Sequence, residues 1–162
     1  MYADILKLGQ IFRVETRAEA LVAGYKSKLK NFKANLKTLD EGLRVFVYDS
    51  GEDAPFTAGR YAMPTALIEA AGGQNIMDNF NKSWGSVTWE EVVERDPQVV
   101  VIVNYGDVTA EQKRDYMMSN PAFKNISAIE NDRFVTLEYV EATPGPRNIQ
   151  AIQKLAEAFW TK

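Results

Sequence analysis

The side chains best suited to holding a ligand are Tyr48, Phe56, Arg60, Tyr61, Trp84, Tyr105, Tyr139 and Arg147. Aromatic faces accompanied by one or two guanidinium groups fit a bulky, partly apolar and anionic molecule, because arginine pairs bidentately with carboxylate or stacks on a ring. A competing reading is that Tyr48 and Phe56 cap a core while the arginines are ordinary surface residues. Asp49, Glu52, Asp53 and Asp107 form a second set. They would serve an oxygen-ligand metal site or a phosphoacceptor pocket, and hence a small α/β phosphoester hydrolase or phosphotransferase using Asp49, Asp53 or Asp107. Yet D-S-G-E-D lacks the ligand order of a calcium loop, and no lysine-bearing strand end completes a phosphoacceptor site. Turn formation and loop solubility explain these acids more simply. Glu90 sits in the first turn of an expected helix, where its plain role is to complement the helix dipole, worth about 0.3–1 kcal/mol.

The chain contains neither histidine nor cysteine. Ser-His-Asp triads, imidazole bases, thiolate nucleophiles, disulfides and His- or Cys-ligated metals are therefore excluded. Ala71–Asn75, AGGQN, is no dinucleotide fingerprint, since it ends a helix where that motif must open one.

The elements that would position the candidate residues are organised around Ser86–Asp107. Thr88 and Glu91 have capping-box spacing; Trp89, Val92 and Val93 share one helical face, and Asp96-Pro97 stops the turn. Val99–Val103, VVVIV, has the composition of a strand covered on both faces. Asn104, Tyr105, Gly106 and Asp107 follow its carboxyl end, where open α/β sheets place ligands. Before this stretch, Ile5, Leu8, Ile11 and Phe12 suggest a short helix. Thr16 and Glu19 then cap a second, on which Leu21, Val22, Tyr25, Leu29, Phe32, Leu36 and Leu39 recur at spacings of three and four. That helix would run about 23 residues, roughly 35 Å. Its other face carries Lys26, Lys30, Lys33 and Lys37, a solvated face or a docking surface for an anionic partner. Further elements are a strand over Leu43–Tyr48, a loop over Asp49–Tyr61, a helix over Pro64–Ala71, a short strand over Gln74–Met77, and a polar loop over Asp78–Gly85 carrying Trp84. Thr109 and Gln112 cap a helix to Met118, and Pro121–Asn125 suits a single turn. Arg133–Glu138 reads as a strand, Tyr139–Arg147 as a loop and Asn148–Trp160 as a final helix. Strands alternating with helices imply an α/β fold, a mostly parallel sheet with helices on both faces as three αβα layers. Such a sheet brings loops 49–61, 104–108 and 139–147 to one edge.

With 162 residues, 46% of them hydrophobic, the chain has the size of one globular domain with its own core. A net charge of −3 argues against nucleic acid as a partner. The charge is uneven, with eight basic and three acidic side chains among residues 1–39. No signal-peptide core lies in the first 25 residues, and no apolar run approaches the ~20 residues of a membrane span.

Three stretches in order, PFTAGRYAMPTALIEAAGGQNI, WGSVTWEEVVERDPQVVVI and GPRNIQAIQKLAEAF, carry a family likeness. The chain resembles the C-terminal lobe of the extracytoplasmic substrate-binding proteins of iron-siderophore, haem and vitamin B12 ABC importers. The resemblance implies that residues 1–41 form a helical segment including the family's long inter-lobe backbone helix, and that 42–162 form a C-terminal α/β lobe. It implies a fragment: the N-terminal lobe, signal peptide and lipoprotein cysteine would lie outside this chain. The parent would be periplasmic or lipid-anchored at the cell surface, with no catalytic residue, resident metal or cofactor. The partners implied are an iron-siderophore or similar metal chelate, bound by the aromatic and arginine residues named above, and a membrane permease, docked by Glu90. Exposure of surface normally covered by the other lobe would favour self-association.

Overall fold

The computed structural model describes residues 2–34 and 42–160. In chain order the elements are α1 (Tyr2–Ile11), α2 (Glu15–Ala34), β1 (Leu43–Tyr48), β2 (Phe56–Ala58), α3 (Met63–Ala70), β3 (Gly73–Asn75), β4 (Trp84–Ser86), α4 (Trp89–Arg95), β5 (Val99–Asn104) and α5 (Ala110–Ser119). After a single 3₁₀ turn (Pro121–Phe123) come α6 (Ser127–Glu130), β6 (Phe134–Glu138), α7 (Tyr139–Ala142) and α8 (Asn148–Trp160). The β-branched runs pair as expected: β3, β1, β5 and β6 lie in that order as one parallel sheet.

Side-chain parity divides the core into two layers. Val45, Val47, Val99, Val101 and Val103 face α3 and α8, packing with Leu67, Ile68, Leu155 and Phe159. Phe46, Tyr48, Val100 and Ile102 face the other way, against Trp89 and Val92 of α4, Met117 of α5, and Phe123. The three-layer αβα architecture follows, because a sheet apolar on both faces must be covered on both.

Local expectations hold in part. Thr109 and Gln112 form the full reciprocal capping box of α5. Thr88 accepts from the Glu91 N–H at 3.2 Å, but the Glu91 carboxylate turns instead to Arg95, 2.5 Å away, so only half of that box exists. Asp96 adopts a left-handed C-cap rather than the extended conformation usual before proline. Helix α2 begins at Glu15, where the Val14 carbonyl accepts from Arg17 and Ala18, so Thr16 lies inside the first turn instead of capping it. The side chains of Phe32 and Lys33 and all of Asn35–Glu41, including Leu36, Lys37 and Leu39, lie outside the described residues.

Helices α1 and α2 pack closely: a Cβ on Gly9 would lie 2.5 Å from the Ala18 Cβ. Val22 is buried and Leu29 packs against the α3/α8 layer, whereas Leu21, expected inward, is exposed. Leu8, Ile11, Phe12 and Val14 are exposed too.

Candidate functional site

Outside the carboxyl ends of β1, β5 and β6 an open groove of about 390 Å³ is lined by Phe56, Tyr61, Trp84, Tyr105 and Tyr139, with Asp49, Met63 and Val103 among its other residues. Two stacked pairs dominate it. Phe56 and Trp84 have ring centroids 6.0 Å apart and planes within 10°; Tyr105 and Tyr139 are 4.6 Å apart at 24°. Tyr61, Tyr105 and Tyr139 are each about half exposed or more, at 65%, 55% and 49%. Large aromatic faces held open to water in a concavity are the usual lining of a small-molecule site.

The first pair stands on a ribbon invisible in the sequence. Strand β2, within the expected 49–61 loop, pairs antiparallel with β4, within the expected polar loop, so that Phe56 and Trp84 are set on one short two-stranded sheet. Buried polar groups fasten that ribbon to the domain. The Thr57 hydroxyl donates to the Val47 carbonyl (2.5 Å), Thr65 to the Gly59 carbonyl (2.7 Å), and the Asn75 amide to the Ala58 carbonyl (2.8 Å). Buried amides and hydroxyls so satisfied rigidify the backbone they hold. Gly59 is required for the close approach, because a Cβ there would sit 2.5 Å from the Lys82 carbonyl oxygen.

The second pair follows β5 and β6. Tyr105 begins the turn into α5, and Gly106 completes it at φ +83°. Tyr139 opens α7, a helical turn inside the segment expected to be loop. Neighbouring strands in register, Asn104 opposite Glu138, bring the two tyrosines together.

Three of the eight expected ligand residues are not brought to this groove. Tyr48 is 2% exposed and belongs to the core, with Phe46 and Trp89 rings at 6.4 and 5.4 Å. Burial, reinforced by Tyr116, Glu52 and Asp49, pushes its hydroxyl up to about 12. Capping the core is thus what Tyr48 does, for the physical reason that its parity points it at α4. Arg60 is exposed and does not line the groove. Arg147 opens instead onto a separate surface depression between α2 and α8, beside Tyr25 and Lys28. The groove is therefore aromatic with one carboxylate, Asp49, rather than aromatic and cationic. Among the described residues no group of three or more acidic side chains gathers where it could hold a metal ion. Glu90 is exposed in the first turn of α4, and the Trp89 indole N–H fixes that turn by donating to the Glu52 carbonyl at 2.6 Å.

A parallel α/β sheet with an aromatic groove at its carboxyl edge has the arrangement in which open α/β domains place their ligands. The profile of the family described as "Periplasmic binding protein" matches residues 1–140, and the chain belongs to that family, whose members bind substrates and are not enzymes. It is 26% identical over 163 residues to YvrC, an uncharacterized ABC transporter substrate-binding lipoprotein of Bacillus subtilis, covering 99% of this chain and 50% of the relative. Over 136 residues it is 25% identical to a vitamin B12-binding protein of Vibrio vulnificus, covering 83% of this chain and 47% of that one. A crystal structure of a periplasmic binding protein from Veillonella parvula superposes with a TM-score of 0.89 at 34% identity, over 97% of this chain and 55% of that one. The chain spans about half the length of the curated relatives it matches.

Proposed function

We propose that this chain is the cargo-binding C-terminal lobe of the substrate-binding component of an ABC importer, and that its groove holds a ferric siderophore, haem or corrinoid without transforming it. The observation that carries this reading is the convergence of two stacked aromatic pairs on one groove at the sheet's carboxyl edge. Flat rings offer large apolar contact to a rigid chelate at little entropic cost. With no imidazole or thiolate in the chain, neither histidine nor cysteine of this lobe ligates the metal, and the groove offers the organic chelator its aromatic faces. The vitamin B12-binding relative supports a tetrapyrrole-sized cargo, and the lipoprotein relative supports a location outside the cytoplasm. Titration of the purified chain with haemin, cyanocobalamin and a ferric hydroxamate, followed by tryptophan quenching, tests the proposal. Saturable binding of one class is expected, because Trp84 lies in the groove. Linear, unsaturable quenching by all three would sink it.

Glu90 is proposed to dock the permease. Its neighbour Glu91 is engaged by Arg95, while Glu90 makes no ion pair among the described residues and projects from a rigidly capped turn. An exposed charge of this kind steers association and contributes little to the fold. In the full-length parent, Glu90→Ala is expected to leave chelate affinity within about twofold while slowing uptake into permease-containing vesicles several-fold. Undiminished uptake would remove Glu90 from the interface.

A further inference from the structure

Lys113 is a charged side chain buried to 2% exposure. It lies in the first turns of α5, a position that from sequence alone reads as solvated. Its ammonium donates to the Val103 carbonyl at 2.8 Å and to the Tyr105 carbonyl at 2.9 Å, bridging the end of β5 and the first residue of the loop beyond it. Those carbonyls belong to the groove's own backbone. Asn104, between them, uses both ends of its amide. Its oxygen accepts from the Ala110 N–H at the start of α5 (3.3 Å), and its nitrogen donates to Glu138 (3.0 Å), the residue preceding Tyr139. The Glu138 N–H in turn donates to Glu141 of α7 at 2.9 Å. Asn104 lies between the two carbonyls that the ammonium holds, and its side chain reaches Glu138, the residue before Tyr139, so hydrogen bonds and short stretches of backbone together link Lys113 to both tyrosine-bearing turns.

Burying an ammonium is costly unless its protons are satisfied, and an aliphatic residue would fill the same space more cheaply. Burial lowers the Lys113 pKa, against the pull of Asp49, in keeping with a charge held out of water. What the ammonium supplies, and an apolar side chain would not, is a fixed direction for two carbonyls at a strand end.

We propose that Lys113 is a positioning residue for the binding groove: with Asn104 and Glu138 it holds Tyr105 and Tyr139 in their stacked arrangement before ligand arrives. The inference rests on the groove being the cargo site, and it deepens that reading by naming what pre-forms one of its two aromatic pairs. Pre-organisation of this kind raises affinity by removing the ordering cost at binding.

The test uses the 162-residue chain and haemin as probe. Lys113→Met is expected to weaken haemin binding about 5- to 10-fold, and Tyr105→Ala at least as much. The double variant should bind no worse than Tyr105→Ala alone, because a residue acting through another loses its effect when that other is gone. Near-ultraviolet circular dichroism gives a readout independent of ligand: the difference band removed by Tyr139→Ala should also be lost in Lys113→Met. Should Lys113→Met fail to fold, Asn104→Ala, which cuts the links to Ala110 and Glu138, is expected to lose the same band. Full additivity of the two binding losses overturns the proposal, and so does retention of the band in a folded variant. If Tyr105→Ala leaves haemin binding unchanged while Lys113→Met still abolishes the band, haemin is not held at the Tyr105–Tyr139 pair and the positioning role stands.

Discussion

Alanine at both Phe56 and Tyr105 is expected to weaken chelate binding about 100-fold, as measured by quenching of tryptophan fluorescence, to which Trp84 contributes from within the groove. The two substitutions each remove one member of a stacked pair and leave the reporter tryptophan in place. A stacked aromatic contact contributes about 0.5–1.5 kcal/mol beyond its buried area, and the lost area brings each truncation to roughly 1–2 kcal/mol. The pairs stand on different elements, one on the β2–β4 ribbon and one on the turns after β5 and β6, so the losses should add. Their sum, about 3 kcal/mol, corresponds to about two decades in Kd. Both side chains are substantially exposed, 37% and 55%, so the fold should tolerate their removal. Arg147→Ala and Tyr48→Phe serve as controls, since neither residue lines the groove, and both are expected to bind as the parent chain does. Unchanged affinity in the double variant, or a comparable loss in Arg147→Ala, would move the site elsewhere.

What the sequence revealed about this site follows from how each signal is encoded. Val99–Val103 declares itself because β-branched residues without polar alternation fit only a strand covered on both faces, and the parallel sheet then locates the ligand edge. The capping box at Thr109 and Gln112 is equally local, needing only two side chains and two amides within one turn. The β2–β4 ribbon is not local. Its three-residue strands carry Gly85 and no run of their own, and they exist because Thr57, Thr65 and Asn75 anchor them to distant backbone. Parity explains Tyr48: two residues beyond Phe46 on the same strand, it had to face the same layer, and strand alternation was sufficient to say so. Residues beyond a strand end have no parity. Arg147 belongs to a loop that leaves the correct edge and lines the groove as far as Pro144, but by Pro146 and Arg147 the chain has reached the separate depression beside α2 and α8. Lys113 was illegible for a different reason: lysine on a helix usually marks water, and only the strand-end carbonyls show why this one is buried.

Replacing Asp96 with alanine is expected to destabilise the domain by about 3 kcal/mol in urea unfolding at neutral pH, a large part of a typical domain's 5–15 kcal/mol. Asp96 ends α4 at φ +40°, a region that aspartate tolerates better than alanine. Its carboxylate accepts from the Ser127 N–H (2.7 Å), the Ser127 hydroxyl (2.8 Å) and Arg44 (3.0 Å), while its carbonyl accepts from the Arg44 Nε–H (2.8 Å). It therefore caps α4 with its backbone and supplies the first turn of α6 with the acceptor that Ile126, at the N-cap, cannot. Hydrogen bonds to a charged group contribute about 1.5–3 kcal/mol when buried, and this side chain is 39% exposed, so roughly 2 kcal/mol is assigned to them and about 1 to the backbone. Asp96→Gly separates the two, keeping the left-handed turn and losing only the carboxylate; it should cost less than alanine. The acid dependence has a definite sign. Burial, the largest single influence, pushes the Asp96 carboxyl upward, but Ser127 and Arg44 together outweigh it and hold the group below its ordinary value of 3.8. A carboxylate depressed on folding adds stability that is complete above about pH 4 and is lost as pH falls from there through the lowered value. The Asp96→Asn chain should lack that portion of the acid transition. A loss under 1 kcal/mol in Asp96→Ala, or an unchanged acid limb in Asp96→Asn, would show that this junction of α4, β1 and α6 is held by packing alone.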